Sequence, residues 1–303
     1  IATYNLSFLY GEGVHKYSGK DYTFDADFIE KRVDYFAKEF TTLNADILFI
    51  QELGSEDVLK HILKKIDGGY SYFIAEPDIN GVGNAVLYKI DNCVCESISA
   101  RADLPVFIEG DPDSIGPRIY SRRDFVHLET VYENKPIHFL GIHIKSNFLN
   151  AEKTAQGLEK PMDTQILAAD GRIRSELFRF SQAKKAREVV DVFFVDDPLA
   201  NVIVLGDFNA QSKDAVFKII KGEIKKSTDS LVSILDSIPE EERFSMRGSE
   251  YSSLIDHMLI SKNLEQNVSN IEILNEHLID YKNADGFPFI IESDHAPVVL
   301  ELK

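Results

Sequence analysis

Short apolar runs recur along the chain, separated by longer stretches of helical periodicity. Runs at 2–10, 46–51, 84–89, 125–132, 137–144, 202–206, 254–260 and 297–302 are continuously apolar or alternate with polar positions, and they predict strands. Between them, 27–43 carries Phe28, Phe36, Phe40 and Leu43 at near-helical spacing. Ser55 is placed to cap a second helix bearing Val58, Leu59, Ile62, Leu63 and Ile66. A third helix is expected over 174–195 and a short fourth after Lys213. Strand following strand at 125–144 predicts antiparallel pairing, and the intervening helices predict covered outer faces. The polar, weakly periodic stretch 148–171 reads as a surface excursion. No repeat, low-complexity tract or Pro/Ser-rich linker interrupts this rhythm, so 1–303 reads as a single domain.

Polar residues interrupt the strands at their ends rather than on alternate positions. Asn5 lies in Ala2-Thr3-Tyr4-Asn5-Leu6, and Gln51-Glu52 closes Asp46-Ile47-Leu48-Phe49-Ile50. Gly206-Asp207-Phe208-Asn209 closes Asn201-Val202-Ile203-Val204-Leu205, and Ser293-Asp294-His295 immediately precedes Ala296-Pro297-Val298-Val299-Leu300. A lone Asp after a strand is ordinarily a turn former or helix cap. Several such ends meeting would instead build one cluster of carboxylates, amides and imidazoles on a rigid frame.

Composition narrows the chemistry. With 44% hydrophobic and 27% charged residues, the chain is a folding one and not a disordered one. No apolar run is long enough to cross a bilayer, so no integral membrane contact is expected. Lys and Arg number 33 against 50 Asp and Glu, a net charge of −17 that disfavours gripping a long polyanion through a broad basic stripe. A short phosphate-bearing substrate, or one admitted with divalent cations, stays compatible with that field. Cys93 and Cys95 lie two apart in a strand-like stretch, which makes a disulfide between them sterically unfavourable and leaves the compartment undecided. The chain starts at Ile1 inside an apparent strand, so residues are expected to have been removed upstream, by signal cleavage or by trimming; the location stays open, with a secreted or periplasmic one after signal removal slightly favoured over the cytoplasm. Nothing in the sequence sets an oligomeric state.

Taken together and in order, Asn5, Gln51-Glu52, His143, Gly206-Asp207-Phe208-Asn209, Ile255-Asp256 and Ser293-Asp294-His295 resemble the endonuclease/exonuclease/phosphatase superfamily, the deoxyribonuclease-I-like metal-dependent phosphoesterases. Gly141-Ile142-His143-Ile144-Lys145-Ser146 looks like the His-x-Lys variant of many bacterial members. The resemblance implies an α/β fold: a four-layer sandwich of two packed, mostly antiparallel sheets flanked by helices. It also implies that Glu52 is the principal ligand of Mg²⁺ or Mn²⁺. Asn5 and Asp294 supply further hard oxygens, a donor set suited to such ions.

Asp207 and Asn209, two apart, project to one side if strand geometry persists. In the family the matching aspartate orients or deprotonates the attacking water and the matching asparagine holds a phosphate oxygen. His295 resembles the histidine that contacts the scissile phosphate, and Asp256 would accept its other ring N–H. Which of Asp207 and His295 takes the proton is open on sequence. His143 and Lys145 share a face and favour developing negative charge. Tyr120-Ser121-Arg122 resembles the Ser-Arg stretch of those relatives, making Arg122 a candidate phosphate contact alongside Lys145 and Asn209. His257 should face away from the site, His138 alternates away from His143, and His15, His61, His127 and His277 have no motif around them. No P-loop, His-Glu-x-x-His, Cys-x-x-Cys or Gly-x-Ser-x-Gly occurs.

The favoured reading is a phosphodiesterase that hydrolyses nucleic acid or nucleotides by in-line water attack. A phosphomonoesterase, or a lipid-headgroup phosphoesterase of the inositol phosphate or sphingomyelin class, would use the same cluster. A catalytically dead binding protein would lack Glu52, Asp207, Asn209 or His295, and all four are present.

Overall fold

The structure, a computed structural model, describes residues 1–17, 20–67, 69–78, 80–100, 123–152, 160–225, 229–247, 252–278 and 290–303. In chain order the first elements are β1 (Ala2–Leu9), β2 (Gly13–Tyr17), β3 (Lys20–Phe24), α1 (Ala26–Leu43), β4 (Ile47–Leu53) and α2 (Glu56–Lys65). Next come β5 (Ser71–Ile74), β6 (Gly83–Tyr88), β7 (Val94–Ile98), β8 (Phe125–Tyr132), β9 (Lys135–His143) and α3 (Gln165–Asp196). The remainder is β10 (Asn201–Asp207), α4 (Ala215–Lys221), β11 (Val232–Ser233), β12 (Met246–Arg247), β13 (Ser252–Ser253), β14 (Asp256–Ile260), β15 (Val268–Ile273) and β16 (Val298–Leu302).

Two six-stranded sheets result, ordered β15-β16-β1-β4-β6-β5 and β11-β14-β10-β9-β8-β7. Each is antiparallel apart from one central parallel pair, β1 with β4 and β9 with β10. Both faces of these central strands are covered, which explains their unbroken apolar runs. Ile47 and Phe49 of β4 point into the layer between the sheets with Val126, Phe139, Leu205 and Met258. Leu48 and Ile50 point the other way, against Val33, Phe36 and Phe40 of α1 and Leu59 and Ile62 of α2. Beyond the second sheet, Leu140, Ile142, Val202 and Val204 pack on Ala183, Ala186 and Val190 of α3 and Phe217 of α4. The order is helices, sheet, sheet, helices, as the family resemblance implies. Gly141 permits the sheets to approach: a Cβ there would lie 2.2 Å from the Phe49 ring.

Ser55 caps α2 through its side chain, which accepts from Val58 N–H at 3.3 Å. One expectation is corrected. α3 begins at Gln165, capped by Thr164, so the last part of the expected excursion over 148–171 is helix. Its first turns leave Ile166 and Ile173 exposed, which removes the apolar face that periodicity detects. The hairpin β2–β3, the edge strands β5 and β15 and the short β11 to β13 are additional to the predicted strands. No helix among the described residues is long and apolar enough to cross a membrane.

Candidate active site

The two central parallel pairs deliver their C-terminal ends to the same edge of the sandwich. Asn5 lies beside Gln51 in one sheet, His143 lies beside Asp207 in the other, and antiparallel β14 sets Asp256 opposite Asp207. At these ends the backbone leaves regular strand geometry. Ser7, Phe8, Glu52 and Asn209 have φ of 49°, 54°, 61° and 46°, and the β1/β4 register shifts between Asn5 and Leu9. Non-glycine residues held there cost about 1–3 kcal/mol each, so the surroundings must enforce them.

Two buried arginines hold Ser7, Phe8 and Asn209, one from each outer helical layer. Arg32 of α1 donates to the carbonyls of Leu6, Ser7 and Phe8. Arg179 of α3 donates to Lys145 O and Asn209 O, both at 2.9 Å. Burial pushes the Arg32 guanidinium down to about 10, so it stays charged at neutral pH. Sequence reasoning missed both; the available signal was an arginine set among the apolar positions of a helix. Gly206, at φ 130°, lets β10 turn its end into the site, because a Cβ there would meet Ile142 O at 2.0 Å.

The side chains form one connected cluster. Asn5 Nδ2 donates to Asp207 Oδ2 at 3.0 Å, while Ser7 N–H donates to Asn5 Oδ1. Asn209 donates to Asp207 through its backbone N–H (2.7 Å) and through Nδ2 (2.9 Å), and Nδ2 also reaches Ile144 O. Both amide hydrogens of Asn209 are thereby engaged, and a phosphate oxygen would have to take over one of them. His143 Nε2 lies 3.4 Å from Asp207 Oδ2 and 3.8 Å from Glu52 Oε1. His295 Nδ1 bonds Asp256 Oδ2 at 2.7 Å. Asp207, Asp256 and His295 each offer a ligand atom within 4.8 Å of the others. Asp294 is tied to the end of β1 by Ser7 Oγ, which donates to its Oδ1. His257 faces away, as predicted, with Nε2 at 2.8 Å from Ala210 O.

Burial opposes charge on both imidazoles, with opposite results. His143 is held well below its ordinary value by burial, then by Arg123 and His295. For His295 the burial penalty is outweighed by Asp256, as neighbouring charge and hydrogen-bond acceptor, and its value rises. Burial and then Asp256 push the Asp207 carboxyl up, against the Asn209 N–H. The site thus sets a histidine disfavoured as a cation beside one favoured as a cation, with a carboxyl whose proton affinity burial raises.

Lys145 follows the end of β9, and its Nζ donates to Ser146 O, Phe148 O and Ser175 Oγ. Arg122 lies outside the described residues. Its neighbour Arg123 places Nη1 2.9 Å from His143 Nε2 and pairs through Nε with Asp78. That guanidinium was not singled out in the sequence.

Glu52 sits at the floor of the cluster with Oε2 accepting from Phe8 N–H at 2.9 Å, which leaves Oε1 toward His143. Burial, opposed by Arg123 and His295 and reinforced by Asp294, raises its carboxyl, so a cation beside it would relieve an unfavourable charge. The acidic and imidazole groups gathered here fit a small divalent ion, and Glu52, Asn5 and Asp294 carry hard oxygens of the kind such an ion takes. At the neighbouring carboxylates, His295 already satisfies Asp256 Oδ2, while Asp256 Oδ1 is buried without a partner among the described residues.

Oxygen donors for a divalent cation set against cationic side chains for an oxyanion are the equipment of a phosphate-ester hydrolase. The chain belongs to the Endonuclease/Exonuclease/phosphatase family, whose model matches residues 2–295. Members hydrolyse phosphate esters with a divalent metal, and this chain is an enzyme of that type. No curated protein matches it by sequence. Its fold is similar to that of humanized D. rerio TDP2 (TM-score 0.58, 13% identity, 99% of this chain and 96% of that one). It is similar to an endonuclease/exonuclease/phosphatase family protein from Bacteroides thetaiotaomicron (0.56, 14%, 99% and 95%). It also resembles the human nocturnin catalytic domain, solved with a bound sulfate anion (0.53, 17%, 89% and 85%).

Proposed function

We propose that this enzyme hydrolyses phosphodiester bonds of nucleic acids or nucleotides by in-line attack of water, with Mg²⁺ or Mn²⁺ held by Glu52, Asn5 and Asp294. The observation that carries the reading is the His295–Asp256 ion pair set within 4.8 Å of Asp207. His295, kept protonated by Asp256, presents a cation to the scissile phosphate. Asp207, raised by burial and held in place by Asn5 and Asn209, takes the proton from the attacking water. His143 stays neutral and, with Arg123, flanks the same oxyanion. A bound divalent ion supplies Lewis-acid polarisation of the phosphoryl oxygen and neutralises developing charge. The sulfate on nocturnin, a tetrahedral oxyanion on a similar fold, is in keeping with this assignment. The −17 net charge favours short or accessible phosphodiesters over long duplex.

The test is turnover of purified protein on DNA, RNA, dinucleotides, phosphomonoesters, inositol phosphates and sphingomyelin, each with Mg²⁺, Mn²⁺ or EDTA. Metal-dependent cleavage fastest on nucleic acid or dinucleotide supports the proposal. Faster release of phosphate from monoesters, or cleavage of lipid headgroups alone, would replace it with those substrates. No turnover on any of them would overturn the substrate assignment.

A further inference from the structure

A second set of titratable side chains lies on the outer face of the second sheet, under the C-terminal part of α3. Cross-strand register sets Glu96 of β7 opposite His127 of β8, and Glu129 of β8 opposite His138 of β9. His127 Nε2 and His138 Nδ1 approach to 3.2 Å, and Glu129 Oε2 lies 3.5 Å from the same His138 nitrogen. The three ligand atoms fall within 4.8 Å of one another. Zinc bound tetrahedrally at about 2.0–2.1 Å holds neighbouring donors about 3.3 Å apart, so the two edges that meet at His138 Nδ1, 3.2 and 3.5 Å, already match such a shell.

The surroundings prepare these donors for a metal. His127 Nδ1 bonds Glu96 Oε1 at 2.7 Å. With that nitrogen as the donor, Nε2 carries a bare lone pair directed at His138, which is the arrangement by which carboxylates orient metal-binding histidines. Phe193 of α3 stacks on both rings, at 4.3 Å and 8° over His138 and at 5.0 Å and 30° over His127, fixing their planes. Burial, then His127, lowers the His138 imidazole, favouring the neutral form that ligates. Glu129 is 44% exposed while His127 is 8% exposed, so an ion has an entry from solvent and a nearly dry seat.

We propose that His127 Nε2, His138 Nδ1 and the Glu129 carboxylate form a binding site for a divalent transition ion of the zinc class, with water completing the shell. Two imidazoles and one carboxylate select zinc-class ions over Mg²⁺, which prefers an all-oxygen shell. The ion would clip β8 to β9, away from the strand ends where the active site lies, so the proposal stands independently of the substrate assignment.

The test is Zn²⁺ titration of metal-stripped protein against a chromophoric chelator, in excess Mg²⁺ to occupy oxygen sites. Wild type, Glu129→Gln, His138→Gln and Glu96→Gln are compared, each checked by circular dichroism for an unchanged fold. Glu129→Gln alters a partly exposed side chain without changing its size and remains informative if the histidine variant does not fold. The expected result is one zinc equivalent in wild type whose affinity falls at least tenfold in Glu129→Gln and in folded His138→Gln. Glu96→Gln, which removes no ligand, should weaken it by roughly 10–100-fold. X-ray absorption of the zinc-loaded protein should show imidazole nitrogen neighbours that diminish in folded His138→Gln. Zinc affinity within tenfold of wild type in Glu129→Gln, or in folded His138→Gln, would overturn the site and leave the cluster a hydrogen-bonded histidine pair.

Discussion

Asn5 Nδ2 and Asp207 Oδ2 meet at 3.0 Å although 202 positions separate them, and the bond joins the end of β1 in one sheet to the end of β10 in the other. The candidate site is therefore a junction between sheets. Asn5→Ala would leave a buried carboxylate short of a donor. Loss of a hydrogen bond to a charged group costs about 1.5–3 kcal/mol. Urea denaturation should show a loss of that order together with lower turnover; an unchanged midpoint with full activity would contradict the junction.

Glu52→Gln keeps the shape of the floor while removing its charge. Turnover is expected to fall by about a hundredfold or more, since the charge stabilisation a metal supplies is worth several kcal/mol. In EDTA the same variant should melt no lower than wild type, because the buried carboxylate is an unfavourable charge without a cation. Full Mg²⁺-dependent turnover by the variant would remove Glu52 from the metal set.

Gly206→Ala places a Cβ 2.0 Å from Ile142 O on a backbone at φ 130°. The neighbour is backbone and cannot swing aside, so the expected loss is about 3 kcal/mol or more, with poor soluble yield. A variant melting within a few degrees of wild type would show that the β9–β10 pair can reopen at low cost.

Lys145 carries a pH signature. Burial, then Arg179 and Arg123, lowers its ammonium to about 8 from the ordinary 10.5. The folded form thus binds fewer protons than the unfolded form between those values, and stability gains with rising pH there. Measured against Lys145→Met, which does not titrate, wild type should gain stability from about pH 8 to about 10.5 and not below. A difference flat across that window would show that the ammonium is not destabilised.

The acidic surface predicts weak dependence on monovalent salt. Each phosphate neutralised by Lys or Arg adds about 0.9 to the log–log slope. Binding or cleavage of long duplex at fixed Mg²⁺ is expected to show a slope equivalent to one or two phosphates. A slope of about five or more would reveal a basic track on the surface.

Much of this arrangement was legible because its central strands are buried on both faces. Unbroken runs such as 202–206 predict strands, and their polar ends mark the edge where Asn5, Glu52, Asp207 and His295 gather. Less legible was everything that depends on proximity across the fold. The spacing of His143 and Lys145 suggests a shared face, but β9 ends at His143 and the Lys145 ammonium is bound by Ser146, Phe148 and Ser175. Arg32 and Arg179 read as ordinary helix arginines until the strained turns they brace are visible. The pair His127 and His138 is diagonal across two strands, eleven residues apart, and no local pattern records that.

The pairing of β1 with β16 has a consequence for synthesis. Ala2 lies opposite Val299, so β1 must wait for a strand almost three hundred residues later in the chain before its open edge is covered. The second sheet is built from the middle of the chain and can be hydrogen-bonded earlier. Until β16 arrives, β1 exposes unpaired backbone, a state prone to association with other chains. Slowed elongation ahead of β16 would therefore reduce soluble yield more than an equal pause within β8 or β9.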